Sequence, residues 1–243
     1  MLPELYHAQH NRHLEDLPFW LDLAAQSGDP ILELGCGTGR VLNPLAQAGH
    51  ACVGLDRELG MLYLLRASLD PHIRFNPALI CADISQFSVA ELFSLIILPC
   101  NTISTLNEVE CRACLECVGR HLRAGGRFAA SMPNPDLIER LPAQSAPEFE
   151  EELVNPRTGN PVQVSSAWRR TKRTFTVTWI YDLLHPDGTS ERLTVDAVHY
   201  RRSVQAYLED FKAAGLTVEN MFGDFDRSAF SEDSPSLIIL AAA

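Results

Sequence analysis

The residues best placed to do chemistry are three carboxylates and three glycines in the first half of the chain. Glu33-Leu-Gly35-Cys-Gly37-Thr-Gly39-Arg40 ends a short apolar run and opens a helical one. Glycines at 35, 37 and 39 let the backbone turn sharply and leave bare main chain for a ligand to lie against. A dinucleotide fingerprint wants glycines at 35, 37 and 40, but position 40 is arginine. A P-loop is excluded as well, because no Gly-Lys-Ser/Thr follows. Glu33, just ahead of the glycines, would repel a pyrophosphate but suits a ligand carrying an ammonium and a sulfonium. Asp56 closes the next apolar run, where a carboxylate can accept hydrogen bonds from both hydroxyls of a ribose. Asp83 closes a third, in Cys81-Ala82-Asp83-Ile84, placed to accept from an adenine amino group while Ile84 packs on the ring.

Elements must carry these residues to one place. Apolar runs at 31–35, 51–56, 79–83, 94–98 and 127–132 read as strands, and they alternate with helical patterns at 38–48, 58–69 and 107–122. Continuous apolar strands between helices predict a doubly wound, mostly parallel α/β sheet covered on both faces. Ligands of such sheets bind at the carboxyl ends of the strands. Ahead of them, 11–26 reads as one amphipathic helix.

After Met132 the texture changes. Four prolines within 133–147 exclude a long regular element there. Segments 163–170, 174–184 and 191–201 then alternate in period two, the last two flanking the turn His185-Pro186-Asp187-Gly188. The α/β pattern resumes with a helix over 203–214 and strands over 216–222 and 236–240. The expected organisation is a ligand-binding core with an N-terminal helical segment (1–132), an inserted antiparallel β subdomain (133–202) and completion of the core sheet (203–243).

Composition narrows the partners. A formal net charge of −11 argues against nucleic acid, whose phosphates need Lys and Arg. Arg169, Arg170, Lys172 and Arg173, with Arg201 and Arg202 further on, are a local exception that reads as a charged strand edge. No run approaches the roughly 20 apolar residues of a membrane span. The polar, acidic N-terminal segment is unlike a secretory signal, and seven cysteines, an odd number, do not form a disulfide scaffold. A cytoplasmic location is expected.

ILELGCGTGR, VGLDRELGMLYLLR, CADI and LIILPCNTISTL, in this order over 31–106, resemble the sequential motifs of class I S-adenosylmethionine-dependent methyltransferases. The rest is similar to a small bacterial branch with an antiparallel insertion after the fifth strand, the sugar N,N-dimethyltransferases and glycine/sarcosine N-methyltransferase relatives. The resemblance rests there on 200–226 (YRRSVQAYLEDFKAAGLTVENMFGDFD). It implies a Rossmann-like seven-stranded sheet in the order 3-2-1-4-5-7-6, with the seventh strand antiparallel. It implies S-adenosylmethionine as cofactor, S-adenosylhomocysteine as product and methyl transfer to a small-molecule acceptor, with neither nucleic acid nor membrane as partner. In relatives such an insertion can also pair two subunits, so a homodimer through it is a further implication.

Carried over, the glycine loop falls on Gly35, Gly37 and Gly39, the ribose acid on Asp56 and the adenine pair on Asp83 and Ile84. Main-chain groups of Leu98 and Pro99 fall near the methionine ammonium. Arg40 is a candidate for the methionine carboxylate, Met61 for packing on the adenosine and Tyr6 for an aromatic folded over the cofactor. Tyr6, His199 and Tyr200 are the candidate catalytic groups. A nicotinamide-dependent oxidoreductase, disfavoured by the glycine spacing, and a non-catalytic cofactor-binding module are the alternatives. Cys111, Cys114 and Cys117, at steps of three along a predicted helix, read as packing residues and no metal is assigned.

Overall fold

The computed structural model describes residues 2–243. It opens with two helices, α1 (Leu2–His10) and α2 (Leu17–Ser27), where the sequence pattern predicts one over 11–26. The break has a local cause. Pro18 sits in the first turn of α2, where its missing N–H is not needed, and Asp16 just before it points its carboxylate elsewhere. One oxygen accepts from Trp20 Nε1 at 2.9 Å, and both are paired with Arg40.

The core follows as β1 (Ile31–Leu34), α3 (Leu42–Gln47), β2 (Cys52–Asp56), α4 (Leu59–Ser68), β3 (Ala78–Cys81) and β4 (Phe93–Leu98). A single 3-10 turn (Thr102–Thr105), α5 (Glu108–His121) and β5 (Leu122–Pro133) complete this half. A short helix α6 (Pro135–Arg140) leads to four antiparallel strands: β6 (Glu148–Val154), β7 (Pro161–Arg170), β8 (Thr174–Leu184) and β9 (Ser190–Tyr200). Then α7 (Val204–Ala213), β10 (Thr217–Phe222) and β11 (Ser236–Ala242) return to the core.

The seven core strands lie in the order β10-β11-β5-β4-β1-β2-β3. Strands β1 to β5 are parallel, and β11 runs antiparallel to both neighbours, as the resemblance implies. Alternation along β4 splits the core into two layers. Ile96 and Leu98 join Cys111, Cys114, Cys117 and Phe211 on one face, and Leu95 and Ile97 join Phe19, Trp20 and Leu45 on the other. The three cysteines are at most 1% exposed, so they are packing residues.

Two insertion elements are not anticipated by the sequence pattern. The six-residue α6 starts at Pro135, with Asn134 capping it through Asp136 N. Strand β6 carries Glu148, Glu150, Glu151 and Glu152, poor strand formers that an edge position tolerates. A third cluster (Leu5, Leu153, Val162, Val164, Tyr181, Leu183) seals α1 onto this sheet. Among the described residues no helix is long and apolar enough to cross a membrane.

Candidate active site

Parallel register sets the carboxyl ends of three strands side by side. Leu34 pairs with Leu55, and Asp56 pairs with Cys81. Gly35 therefore follows β1 beside Asp56, and Ala82-Asp83-Ile84 follow β3 next to both. A cavity of about 250 Å³ opens there, lined by Tyr6, Gly35, Gly37, Asp56, Met61, Asp83 and Ile84 among others. Seven residues singled out by the sequence are thus brought together. Asp83 lies two residues past the end of β3, in the following turn, rather than closing the strand as the pattern predicts.

The acids are held ready. Asp56 Oδ2 accepts from Gly37 N and Oδ1 from Glu58 N, each at 2.8 Å, so the glycine turn itself orients the carboxylate. Asp83 Oδ1 accepts from Ser85 Oγ at 2.7 Å and Ser85 N at 2.8 Å, and these bonds hold its carboxyl below the usual carboxylate range. Gly35, Gly37 and Gly39 all have positive φ, the left-handed region that favours glycine. Their surroundings differ. A Cβ on Gly37 would meet nothing within 4 Å, whereas one on Gly39 would lie 2.2 Å from Leu65 Cδ1. Gly37 borders open space; Gly39 lets the loop pack on α4.

Other expected residues stand apart from this lining. Glu33 is 2% exposed, and its Oε2 is buried without a hydrogen-bond donor among the described residues. Burial raises its carboxyl well above the usual range, against the pull of Arg40 and with Asp16 and Asp56 adding to the rise. Arg40 does not offer the free cation expected of it. Its guanidinium is paired with both oxygens of Asp16, and it also donates to His13 O and Cys100 Sγ. Pro99 O is taken by Thr102, from N at 3.3 Å and Oγ1 at 2.9 Å, while Leu98 is fully buried in β4.

The sequence did not single out Thr102, Thr105 and Leu106, which close one side of the cavity. They lie on the turn after β4, inside the LIILPCNTISTL stretch, so the signal was present but unassigned. Cys100 and Asn101, at φ 59° and 61°, lead into that turn in a conformation that non-glycine residues seldom adopt. On its other side is a second cavity of about 140 Å³, lined by Ser104, Phe175, His199, Tyr200 and residues of α6 and α7. The candidates Tyr6 and His199 therefore face different cavities. Tyr6 stacks on His10 with ring centroids 3.9 Å apart, and burial raises its phenol and pushes the His10 imidazole down to about 4.

Sheet order, carboxyl-end cavity and antiparallel insertion together define a class I methyltransferase fold. Residues 31–126 match the family model described as a methyltransferase domain. Among solved structures, an S-adenosylmethionine-dependent methyltransferase from Clostridium acetobutylicum superposes with a TM-score of 0.82 at 14% identity, covering 98% of this chain and 96% of that one. An amino pentose methyltransferase from Micromonospora echinaspora, involved in calicheamicin biosynthesis, does so at 0.77 with 19% identity over 98% and 96%. In sequence, the chain is 28% identical over 160 residues to an mRNA cap guanine-N(7) methyltransferase from Candida glabrata. That match takes in 58% of this chain and 36% of the relative, so the chain spans about a third of its length.

Proposed function

We propose that the protein is a cytoplasmic enzyme that transfers a methyl group from S-adenosylmethionine to a small-molecule acceptor. The observation that carries this reading is the convergence of Gly35, Gly37, Asp56, Met61, Asp83, Ile84 and Tyr6 on one cavity, with Asp56 oriented by the Gly37 amide. The residues fit the cofactor's parts. Asp56 has a free lone pair on each oxygen for ribose hydroxyls, and Asp83 Oδ2 keeps most of its capacity for an adenine amino group. The open face at Gly37 admits a ligand against main chain. The buried Oε2 of Glu33 lacks the donor that a methionine ammonium would supply. The Leu98 carbonyl is assigned to the same end, and Arg40 serves by fixing α2 to the loop through Asp16.

Bound cofactor supplies a methyl on an already positive sulfur, an activated leaving group. The chain's share is alignment and exclusion of water, which can supply about 7–11 kcal/mol of barrier reduction. Helix α1 does part of this. Its Leu5 and Gln9 dock on the insertion sheet while Tyr6 closes the cavity. The small-molecule acceptor is supported by the acidic net charge and by the amino pentose methyltransferase that superposes on the chain. The cytoplasmic location is supported by seven free thiols.

Calorimetry with S-adenosylhomocysteine and with NAD tests the cofactor; binding of NAD alone would overturn the reading. Transfer of labelled methyl to a panel of amines, sugars, carboxylic acids, phenols and capped RNA tests the acceptor. Label on RNA alone would transfer the assignment to nucleic acid, and cofactor binding with no transfer to any acceptor or cell extract would favour a non-catalytic module.

A further inference from the structure

His199, on β9, lines the second cavity, and its Nδ1 lies 2.8 Å from Ser104 Oγ. Ser104 Oγ is also 2.6 Å from the Asn101 carbonyl oxygen. Two oxygens that close repel unless a proton lies between them, and a carbonyl has none to give. The single hydroxyl proton of Ser104 therefore goes to Asn101. The contact with His199 must then be filled from the histidine side, so Nδ1 carries a proton and donates it. In a neutral imidazole this leaves Nε2 as a bare lone pair. No partner for Nε2 is found among the described residues.

We infer that His199 is the general base of the reaction, taking the acceptor's proton on Nε2, and that Ser104 positions it by fixing the tautomer. This rests on the methyltransferase reading above. The 3-10 turn supports the placement. Thr102 and Thr105 line the cofactor cavity and Ser104 lines the second one, so the base stands across a single turn from the cofactor site. The acceptor class follows: an ammonium, hydroxyl or phenol that must lose a proton as it is methylated. The acceptor's proton goes to Nε2 and its freed electron pair forms the bond to the methyl carbon. The pair of the broken carbon–sulfur bond stays on sulfur. One positive charge thus leaves sulfur, and for a neutral hydroxyl acceptor one appears on the imidazole. For an ammonium acceptor the imidazolium forms as the amine is freed, and the methylated nitrogen takes the second positive charge.

Burial keeps the imidazole neutral, lowering it from the usual value of about 6.5. The charges around the cavity leave that in place. Glu139 is paired with Arg201, and Arg202 with Asp210. Asp136 and Lys172 oppose each other in sign, and the phenols of Tyr200 and Tyr207 complete the titratable lining. Phe175, across from His199 on β8, carries no charge, with ring centroids 6.5 Å apart.

Long-range proton–nitrogen NMR of the full chain labelled with 15N-histidine reads the tautomer directly. The His199 signal is assigned by its loss in His199→Asn, or in His199→Gln should the first fail to fold. The expected result is a neutral ring at pH 7 protonated on Nδ1. A ring protonated on Nε2, or an imidazolium, overturns the inference. Ser104→Ala should release the tautomer, and an unchanged one removes Ser104 from the account. With any acceptor from the panel above, His199→Asn keeps a donor to Ser104 but no base. It should lower kcat about a hundredfold or more. It should also abolish the fall in kcat as pH drops through the lowered histidine value, with S-adenosylhomocysteine affinity within about threefold of wild type. Undiminished kcat overturns the inference. Failure of the wild-type chain to bind S-adenosylhomocysteine instead sinks the cofactor reading and leaves the tautomer result standing.

Discussion

The two cavities on either side of the Thr102–Thr105 turn are built in opposite ways. The larger takes most of its lining from consecutive strand ends, Gly35 and Gly37 after β1, Asp56 on β2, Asp83 and Ile84 after β3. Each group is placed by its own short motif, and parallel register brings the motifs together. The smaller takes Ser104 from the core, Phe175 and His199 from the insertion and Tyr207 from α7. Ser104 lies 95 positions from His199, and the two meet only because the insertion folds back over the sheet. A cavity lined by neighbouring strand ends can be written in short motifs; one shared between core and insertion is assembled only by the fold.

Asp56→Ala is the sharpest way to break this comparison. The carboxylate orders the glycine turn through Gly37 and is assigned the ribose, so its loss should weaken S-adenosylhomocysteine binding about ten- to a hundredfold by calorimetry. The two amides it holds are part-buried and exposed, so water can replace much of the loss and the melting temperature should fall by no more than a few degrees. Unchanged affinity would mean that the larger cavity is not the cofactor's.

The same difference governs what the sequence could disclose. Continuous apolar runs at β1, β2 and β4 announce strands covered on both faces, and Gly35, Gly37 and Asp56 announce the turn between them, because local pattern and tertiary demand agree. The break before α2 was hidden: Asp16 looks like an ordinary polar residue until Arg40, 24 positions on, is seen to hold it. Strand β6 was hidden by its glutamates, since an edge strand owes its conformation to its neighbour rather than to its own propensity. His199 was legible as a candidate catalytic group, but its orientation was not. Its partner Ser104 lies 95 residues away, and no spacing rule connects them.

Glu33→Gln sharpens the contrast on the cofactor side with a smaller effect. The folded protein holds the Glu33 proton to higher pH than the unfolded chain, where the ordinary value is 4.5. Between that value and the raised one the folded state binds more protons, so this group's contribution to stability falls as pH rises, then levels off. Glutamine has no proton to lose. The variant should melt higher than wild type at pH 8 and nearly level with it at pH 4, while binding S-adenosylhomocysteine about tenfold more weakly. Equal affinity would place the methionine ammonium elsewhere.

The smallest effect asks whether the two regions are coupled at all. Helix α1 touches both the larger cavity and the insertion: Tyr6 lines that cavity, while Gln9 Oε1 accepts from Tyr181 Oη of β8 at 2.6 Å in a buried contact. Tyr181→Phe keeps the ring and removes that donor, leaving a buried acceptor unsatisfied at a cost of about 1–3 kcal/mol. At roughly 2–4 °C per kcal/mol for a chain of this size, the melting temperature should fall by several degrees. If α1 carries strain from the insertion to the cofactor, S-adenosylhomocysteine affinity should drop about two- to threefold as Tyr6 loosens, although Tyr181 touches no part of that cavity. A lower melting point with unchanged affinity would show α1 held over the cofactor by its contacts with the core alone. The insertion would then act on the acceptor side only.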